Sequence, residues 1–230
     1  VKIIGLIGGM SWESSEKYYR IINEEVKYRL GGLHSAACIL YSVDFAEIER
    51  YQSTGDWESA GKIVGDAAEA LERAGASIIV IGTNTMHKVV GHVENRVDLP
   101  VIHIADAVAK QIKKSKISTV GFLGTKYTME QDFYRSRLKS NGTRVIVPKS
   151  IDREAINKVI FDELCLGKTL QTSRNYFKKV IKSLIDDGAE GIILGCTEIG
   201  LLVKPGDSEV PVFDTTIIHA IEAVSLALER

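Results

Sequence analysis

Cysteine is scarce in this sequence, with Cys38, Cys165 and Cys196 the only three among 230 residues. Three widely spaced thiols cannot build a disulfide framework, and none lies in a Cys-x-x-Cys or Cys/His metal spacing. An excess of either charge is missing too: 29 Lys+Arg stand against 30 Asp+Glu. That balance gives no reason to expect nucleic acid or an anionic membrane surface as a partner. No apolar run approaches the roughly 18 residues of a membrane span. The opening residues do not follow the basic-then-apolar pattern of a secretory leader. Neither G-x-G-x-x-G nor G-x-x-x-x-G-K-[ST] occurs, which argues against dinucleotide and nucleoside triphosphate loops. These absences leave a globular protein, expected in a reducing cytoplasm, long enough for one large α/β domain or two smaller lobes.

Two short stretches organise what is present. The first is Gly75-Ala76-Ser77-Ile78-Ile79-Val80-Ile81-Gly82-Thr83-Asn84-Thr85, and the second is Gly188-Ala189-Glu190-Gly191-Ile192-Ile193-Leu194-Gly195-Cys196-Thr197-Glu198. Each has a glycine that ends a helix, a continuous apolar run, and then a small glycine followed by polar residues. Such runs read as strands buried on both faces, as in a parallel sheet. Thr83 and Cys196 are 113 residues apart, as are Gly75 and Gly188; Gly5 precedes Gly121 by 116, and Pro100 precedes Pro211 by 111. Landmarks in one order at near-constant offset indicate an internal duplication.

Along the chain, strands are expected at 2–7, 37–43, 99–104, 119–123, 145–147 and 209–214, and in the two apolar runs that lead to Thr83 and to Cys196. Helices are expected at 12–30, 57–74, from about 85, and at 106–114, 128–139, 153–166, 172–187 and 217–228. Tyr18, Ile22, Val26 and Leu30 mark one apolar helix face, while Lys17, Lys27 and Arg29 read as a solvated one. The alternation predicts an α/β protein of two pseudo-symmetric lobes, each a mostly parallel four-stranded sheet flanked by helices. The lobes are expected at 1–98 with 208–230, and at 99–207. In open α/β sheets ligands sit beyond the carboxyl ends of strands, so an active site between the lobes is expected.

The residues at those strand ends carry the candidate chemistry, and each has two readings. Gly5-x-x-Gly8-Gly9 is either a tight strand–helix turn or a cradle for a carboxylate, using N–H groups of Met10 and Ser11 at a helix start. Cys196 is either a small buried hydrophobe or a thiol activated at a helix start, where nearby amides would lower its pKa. Cys38 and Cys165 read as core. Thr83 is notable only through its repeat position, since a threonine hydroxyl is too weak an acid to serve as a base unaided. Asn84, Thr85 and Thr197 either cap the following helices or hold a small carboxylate. His87 falls near that site and His103 at another strand end, and each is either a hydrogen-bonded structural histidine or a base.

Together, Gly8-Gly9-Met10-Ser11-Trp12-Glu13-Ser14, Thr83-Asn84-Thr85-Met86-His87 and Gly195-Cys196-Thr197-Glu198 resemble the cofactor-independent aspartate/glutamate racemases. So do His34-Ser35 to Ser42-Val43-Asp44-Phe45 and Leu123-Gly124-Thr125-Lys126-Tyr127-Thr128-Met129. The resemblance covers nearly the whole chain. It implies a thiol from each lobe, one thiolate removing the α-proton and the other thiol reprotonating the opposite face. Here the first family cysteine is Thr83, so the chain is similar to L-aspartate/glutamate-specific racemases with a Thr–Cys pair. Cys196 then acts on the L-enantiomer, and D-to-L turnover is expected to suffer.

The resemblance also implies substrate contacts at Met10, Gln52, Asn84, Thr85, Thr125 and Thr197, with Gln52 at a position facing the side-chain carboxylate. Leu166 stands where some aspartate racemases carry a lysine, which leaves aspartate and glutamate both open as substrates. Neither metal nor organic cofactor is expected; the partners are a small acidic amino acid and a second copy of the chain, as a homodimer. Two alternatives stand beside this: an isomerase or decarboxylase of another small dicarboxylate, and a carboxylate-binding protein that has lost catalysis.

Overall fold

The computed structural model describes residues 1–229 and divides into two compact units, one of Val1–Ile104 with the chain from His219 onward, the other of Ala105–Ile218. In the first unit the elements are β1 (Ile4–Gly8), α1 (Trp12–Leu30), β2 (Cys38–Ser42), α2 (Phe45–Thr54), α3 (Trp57–Arg73), β3 (Ile78–Ile81), a 3-10 turn (Thr85–Val89), α4 (Val90–Glu94) and β4 (Val101–Ile102). Its sheet is parallel throughout, in the order β2-β1-β3-β4.

The chain continues through α5 (Ile104–Lys114), β5 (Thr119–Gly124), α6 (Lys126–Glu130), α7 (Asp132–Ser140), β6 (Arg144–Ile146), α8 (Ser150–Asp162), a 3-10 turn (Leu164–Leu166), α9 (Gln171–Asp186), β7 (Gly191–Gly195), α10 (Ile199–Leu202), a 3-10 turn (Pro205–Asp207), β8 (Val212–Asp214) and α11 (Thr215–Leu228). The second sheet is also parallel, in the order β6-β5-β7-β8. Lobe breaks were expected after 98 and 207. The units instead divide after Ile104 and Ile218, because β4 pairs with β3 and β8 with β7.

The duplication extends to individual hydrogen bonds. Gly5 lies opposite Ile79 in one sheet and Gly121 opposite Ile192 in the other. The N–H groups of Ile79 and Ile192 donate to the carbonyls of Pro100 and Pro211, both at 2.9 Å. Gly75 and Gly188 share a left-handed backbone, with φ of 94° and 97°, a conformation that favours glycine. Each ends its helix, and the next N–H reaches back to Leu71 in one unit and Leu184 in the other.

Continuous apolar runs are needed because both faces of these sheets are covered. Ile79 and Ile81 pack with Val64, Ala67, Ala68 and Leu71 of α3. Ile78 and Val80 face the other way, onto Tyr18, Ile22 and Val26 of α1 and onto Ala220, Ala223 and Val224 of α11. Burial of each large aliphatic side chain contributes about 2 kcal/mol. Leu30 departs from the expected stripe and is exposed, since Gly31 already turns the chain away. Lys17 departs too: it is only 8% exposed, on the buried side of α1 beside Tyr18, and is no part of a solvated face. No helix among the described residues is long and apolar enough to cross a membrane.

Candidate active site

In the first unit the carboxyl ends of β1 and β3 lie side by side, with the Gly82 N–H donating to the Ile7 carbonyl. Gly9 has φ of 89°, and a side chain there would run into the Val43 carbonyl oxygen, so the turn after β1 demands glycine. Ser11 occupies the N-cap position of α1 but makes no side-chain cap. Ser15 closes the turn instead: its Oγ accepts from Gly9 N–H at 2.7 Å and donates to the Ser11 carbonyl at 3.0 Å. Met10 is buried in the same core cluster as Met86. Gln52, on α2, is buried, and its Nε2 donates to the Met86 Sδ at 3.2 Å. Asn84 and Thr85 are buried just past β3, Thr83 is half-buried, and Asn84 makes no side-chain cap.

Behind Thr83 stands a buried histidine cluster. His87 Nδ1 donates to the Thr83 carbonyl at 2.8 Å, and Nε2 accepts the Ile104 N–H at 3.2 Å. This pairing sets the tautomer, with the proton on Nδ1. The ring thus anchors the Thr83 backbone. His103 packs edge-on to His87, with centroids 4.5 Å apart.

In the second unit Gly124 pairs with Gly195, which brings Thr125 and Cys196 to adjacent strand ends. Thr125 is the N-cap of α6, its Oγ1 accepting from Thr128 N–H at 3.4 Å. Cys196 is 7% exposed, and its Sγ–H donates to Glu198 Oε2 at 2.9 Å. Thr197 Oγ1 donates to the same oxygen at 2.8 Å. Burial and the Glu198 carboxylate push the thiol well above its usual pKa, and Cys165 adds to the effect. The expected lowering is outweighed: the Glu198 backbone N–H does favour the thiolate, but burial and the Glu198 carboxylate prevail, and α10 spans only four residues, Ile199–Leu202. Cys38 and Cys165, expected in the core, are half-buried.

The strand ends also hold polar groups that the sequence did not single out. Glu198 belongs to a motif read for its cysteine, yet its two-residue spacing from Cys196 is the signal that could have revealed it. The hydroxyls of Ser14, in the first turn of α1, and Thr216, just after β8, are buried without a hydrogen-bond partner. Among the described residues, no three or more His, Cys, Asp or Glu side chains converge as metal ligands.

Comparison with known proteins adds to this geometry. The profile of a family described as Asp/Glu/Hydantoin racemase matches residues 7–223. A crystal structure from Yersinia pestis, provisionally described as an Asp/Glu racemase, is similar with a TM-score of 0.92 and 57% identity, covering 100% of both chains. The structure of an aspartate racemase homologue from Pyrococcus horikoshii gives a TM-score of 0.86 at 40% identity, again over 100% of both chains. The broad specificity amino-acid racemase of Bacillus subtilis is 27% identical over 173 residues, 75% of this chain and 74% of that protein.

Proposed function

The chain belongs to the Asp/Glu/Hydantoin racemase family, and we propose that it is a cofactor-independent racemase acting on L-aspartate, L-glutamate or both. The observation that carries this reading is the Cys196 thiol at the carboxyl end of β7, hydrogen-bonded to a buried carboxylate. A thiolate of matched basicity can remove an α-proton, and backbone amides and hydroxyls can stabilise the charge that develops. Cys196 abstracts the proton of the L-enantiomer, and a proton returns to the carbanion from the Thr83 side. Met10, Gln52, Asn84, Thr85, Thr125 and Thr197 are assigned to substrate contacts, with Gln52 on the side-chain carboxylate. The acidic substrate is supported by the aspartate racemase homologue at 40% identity.

The proposal includes cytoplasmic residence and a homodimer. Tyr28, Leu33, Leu40 and Tyr41, near the end of α1 and on the edge strand β2, are exposed apolar surface that a second copy could cover. A carboxylate-binding protein without catalysis is the second reading, favoured by the raised thiol pKa. Incubating dialysed protein with each L-amino acid, with no cofactor added, decides between them. Chiral chromatography should detect D-aspartate or D-glutamate. Thermal stabilisation by both acids without any D-product would support the binder and contradict the racemase.

A further inference from the structure

Away from Cys196, the second unit carries a groove with cationic walls. It holds about 740 Å³ between α7 and the edge strand β6, with Arg135, Ser136 and Lys139 on the helix side and Thr143, Arg144 and Val145 on the strand side. Spacing explains the helix wall. Asp132, Arg135, Ser136 and Lys139 stand at i, i+3, i+4 and i+7 and share one side of α7, while Tyr134 and Leu138 are buried on another. Asp132 is the one carboxylate among the lining residues. Three cations therefore meet one anion, in a chain whose charges otherwise balance at 29 to 30.

These cations are not used up within the protein. Arg135 Nη2 donates to the Glu130 carbonyl at 3.1 Å and to Asp132 Oδ1 at 2.9 Å. Those bonds fix the guanidinium and leave Nη1 open to a ligand, and Nε is buried without a partner. The Asp132 side chain is 87% exposed, so water screens its attraction. Lys139 and Arg144 are exposed, and neither forms an ion pair among the described residues. Strand β6 adds a backbone donor. Arg144 N–H turns inward to the Ser118 carbonyl at 2.8 Å, so the next N–H, that of Val145, points to the open edge of the sheet. A charge on an edge strand also deters pairing with another chain, but that accounts for Arg144 alone. Arg135 and Lys139 stand on a helix and guard no edge.

We infer that this groove binds an organic diphosphate of nucleotide size. The two walls present donors from different directions; a phosphate group directs oxygens tetrahedrally toward both, whereas the two coplanar oxygens of a carboxylate do not. Guanidinium groups match phosphate bidentately, and an excess of two positive charges suits a diphosphate. The volume lies in the usual range for small-molecule sites and exceeds what the phosphates alone would fill. The alkyl stems of Arg135 and Lys139 and the Val145 side chain supply apolar contact for the organic part. Arg144 lies opposite Thr119 at the amino end of β5, whereas Cys196 follows the carboxyl end of β7. The groove is thus separate from the candidate active site, and the inference does not rest on the racemase reading.

The test is calorimetric titration of the whole protein with ADP, inorganic pyrophosphate and citrate, in wild type, Lys139→Gln, Arg144→Gln and the double variant. ADP should bind saturably, pyrophosphate more weakly and citrate most weakly. Each substitution should weaken ADP binding by about tenfold, and the double variant should bind more weakly still. Because both side chains are exposed, the melting temperature without ligand should stay at the wild-type value. Added salt should weaken binding in wild type. Absence of saturable binding by ADP at millimolar concentration would overturn the inference. So would equal ADP affinity in the wild type and the double variant, which would put the nucleotide elsewhere. Citrate binding as tightly as ADP would replace the phosphate with a polycarboxylate, and pyrophosphate binding as tightly as ADP would remove the organic part; either result overturns the inference as stated. None of these measurements uses turnover, so failure here leaves the racemase reading where it stands.

Discussion

His219 makes the stability of the first unit depend on pH in a way that can be worked out. Its imidazole is fully buried, Nε2–H donates to the Ile102 carbonyl at 2.8 Å, and Nδ1 accepts the Tyr18 hydroxyl at 2.8 Å. The His87 ring lies 5.6 Å away, and His103 packs against His87. Burial, and then the proximity of His87, pushes the His219 pKa down to about 3 despite the opposing Ile102 bond. A histidine freed by unfolding titrates near 6.5. Between these values the unfolded chain binds the additional proton, so stability rises with pH and falls on acidification. From about pH 7 to about pH 5 this one group removes about 2 kcal/mol of stability. That is a large share of a typical 5–15 kcal/mol. Both tryptophans, Trp12 and Trp57, lie in the first unit, so their fluorescence reports its unfolding in urea. His219→Gln should be less stable than wild type at about pH 7, by about 1–2 kcal/mol for the lost hydrogen bonds. The gap should close by about pH 5, because the variant lacks the titration. Wild type and variant losing stability in parallel over this window would refute the reasoning.

Two further substitutions have defined outcomes. On the racemase reading, Thr83→Cys supplies a second base at the repeat-related strand end. It should raise α-proton exchange of D-glutamate or D-aspartate, and an unchanged rate would count against a two-faced site. Gly195→Ala places a methyl group against the buried Phe122 ring, with Cε2 at 2.8 Å. It should lower stability by about 1–3 kcal/mol in urea titrations, and a neutral effect would show that the packing around Phe122 yields more readily than this contact implies.

Periodicity made the sheets legible because they are covered on both faces. Ile78–Ile81 and Gly191–Gly195 read as strands from their apolar runs alone, and the offsets from Gly5 to Gly121 and from Pro100 to Pro211 match pairing positions in the two sheets. Helix α2 was missed: its Phe45–Thr54 segment is short and polar and buries only Ile48 and Gln52, so no stripe stands out. Its Asp44 cap, which accepts the Ala46 N–H at 3.0 Å, was the available signal. The expected 128–139 helix is two, α6 and α7, separated where Gln131 adopts extended backbone with ψ of 150°. Strand β4 shrank to Val101–Ile102 because His103 turns straight into α5.

At the strand ends, residue types marked where chemistry gathers but not which group touches which. The direction of the Cys196 pKa depended first on burial of the sulfur and then on a side chain two residues away folding back onto it, tertiary details that spacing permits without requiring. Lys17 shows the same limit, since helical periodicity could not reveal that its side of α1 is covered.

The central claim is that Cys196 is the thiol that removes the α-proton of an acidic L-amino acid. Its most direct test is proton NMR of L-aspartate and L-glutamate in deuterated buffer with wild-type protein and Cys196→Ala. Cys38→Ala and Cys165→Ala serve as thiol controls. Loss of the α-proton signal with wild type and both controls, and its persistence with a folded Cys196→Ala protein, is the predicted result. Exchange at the wild-type rate in Cys196→Ala would contradict the account.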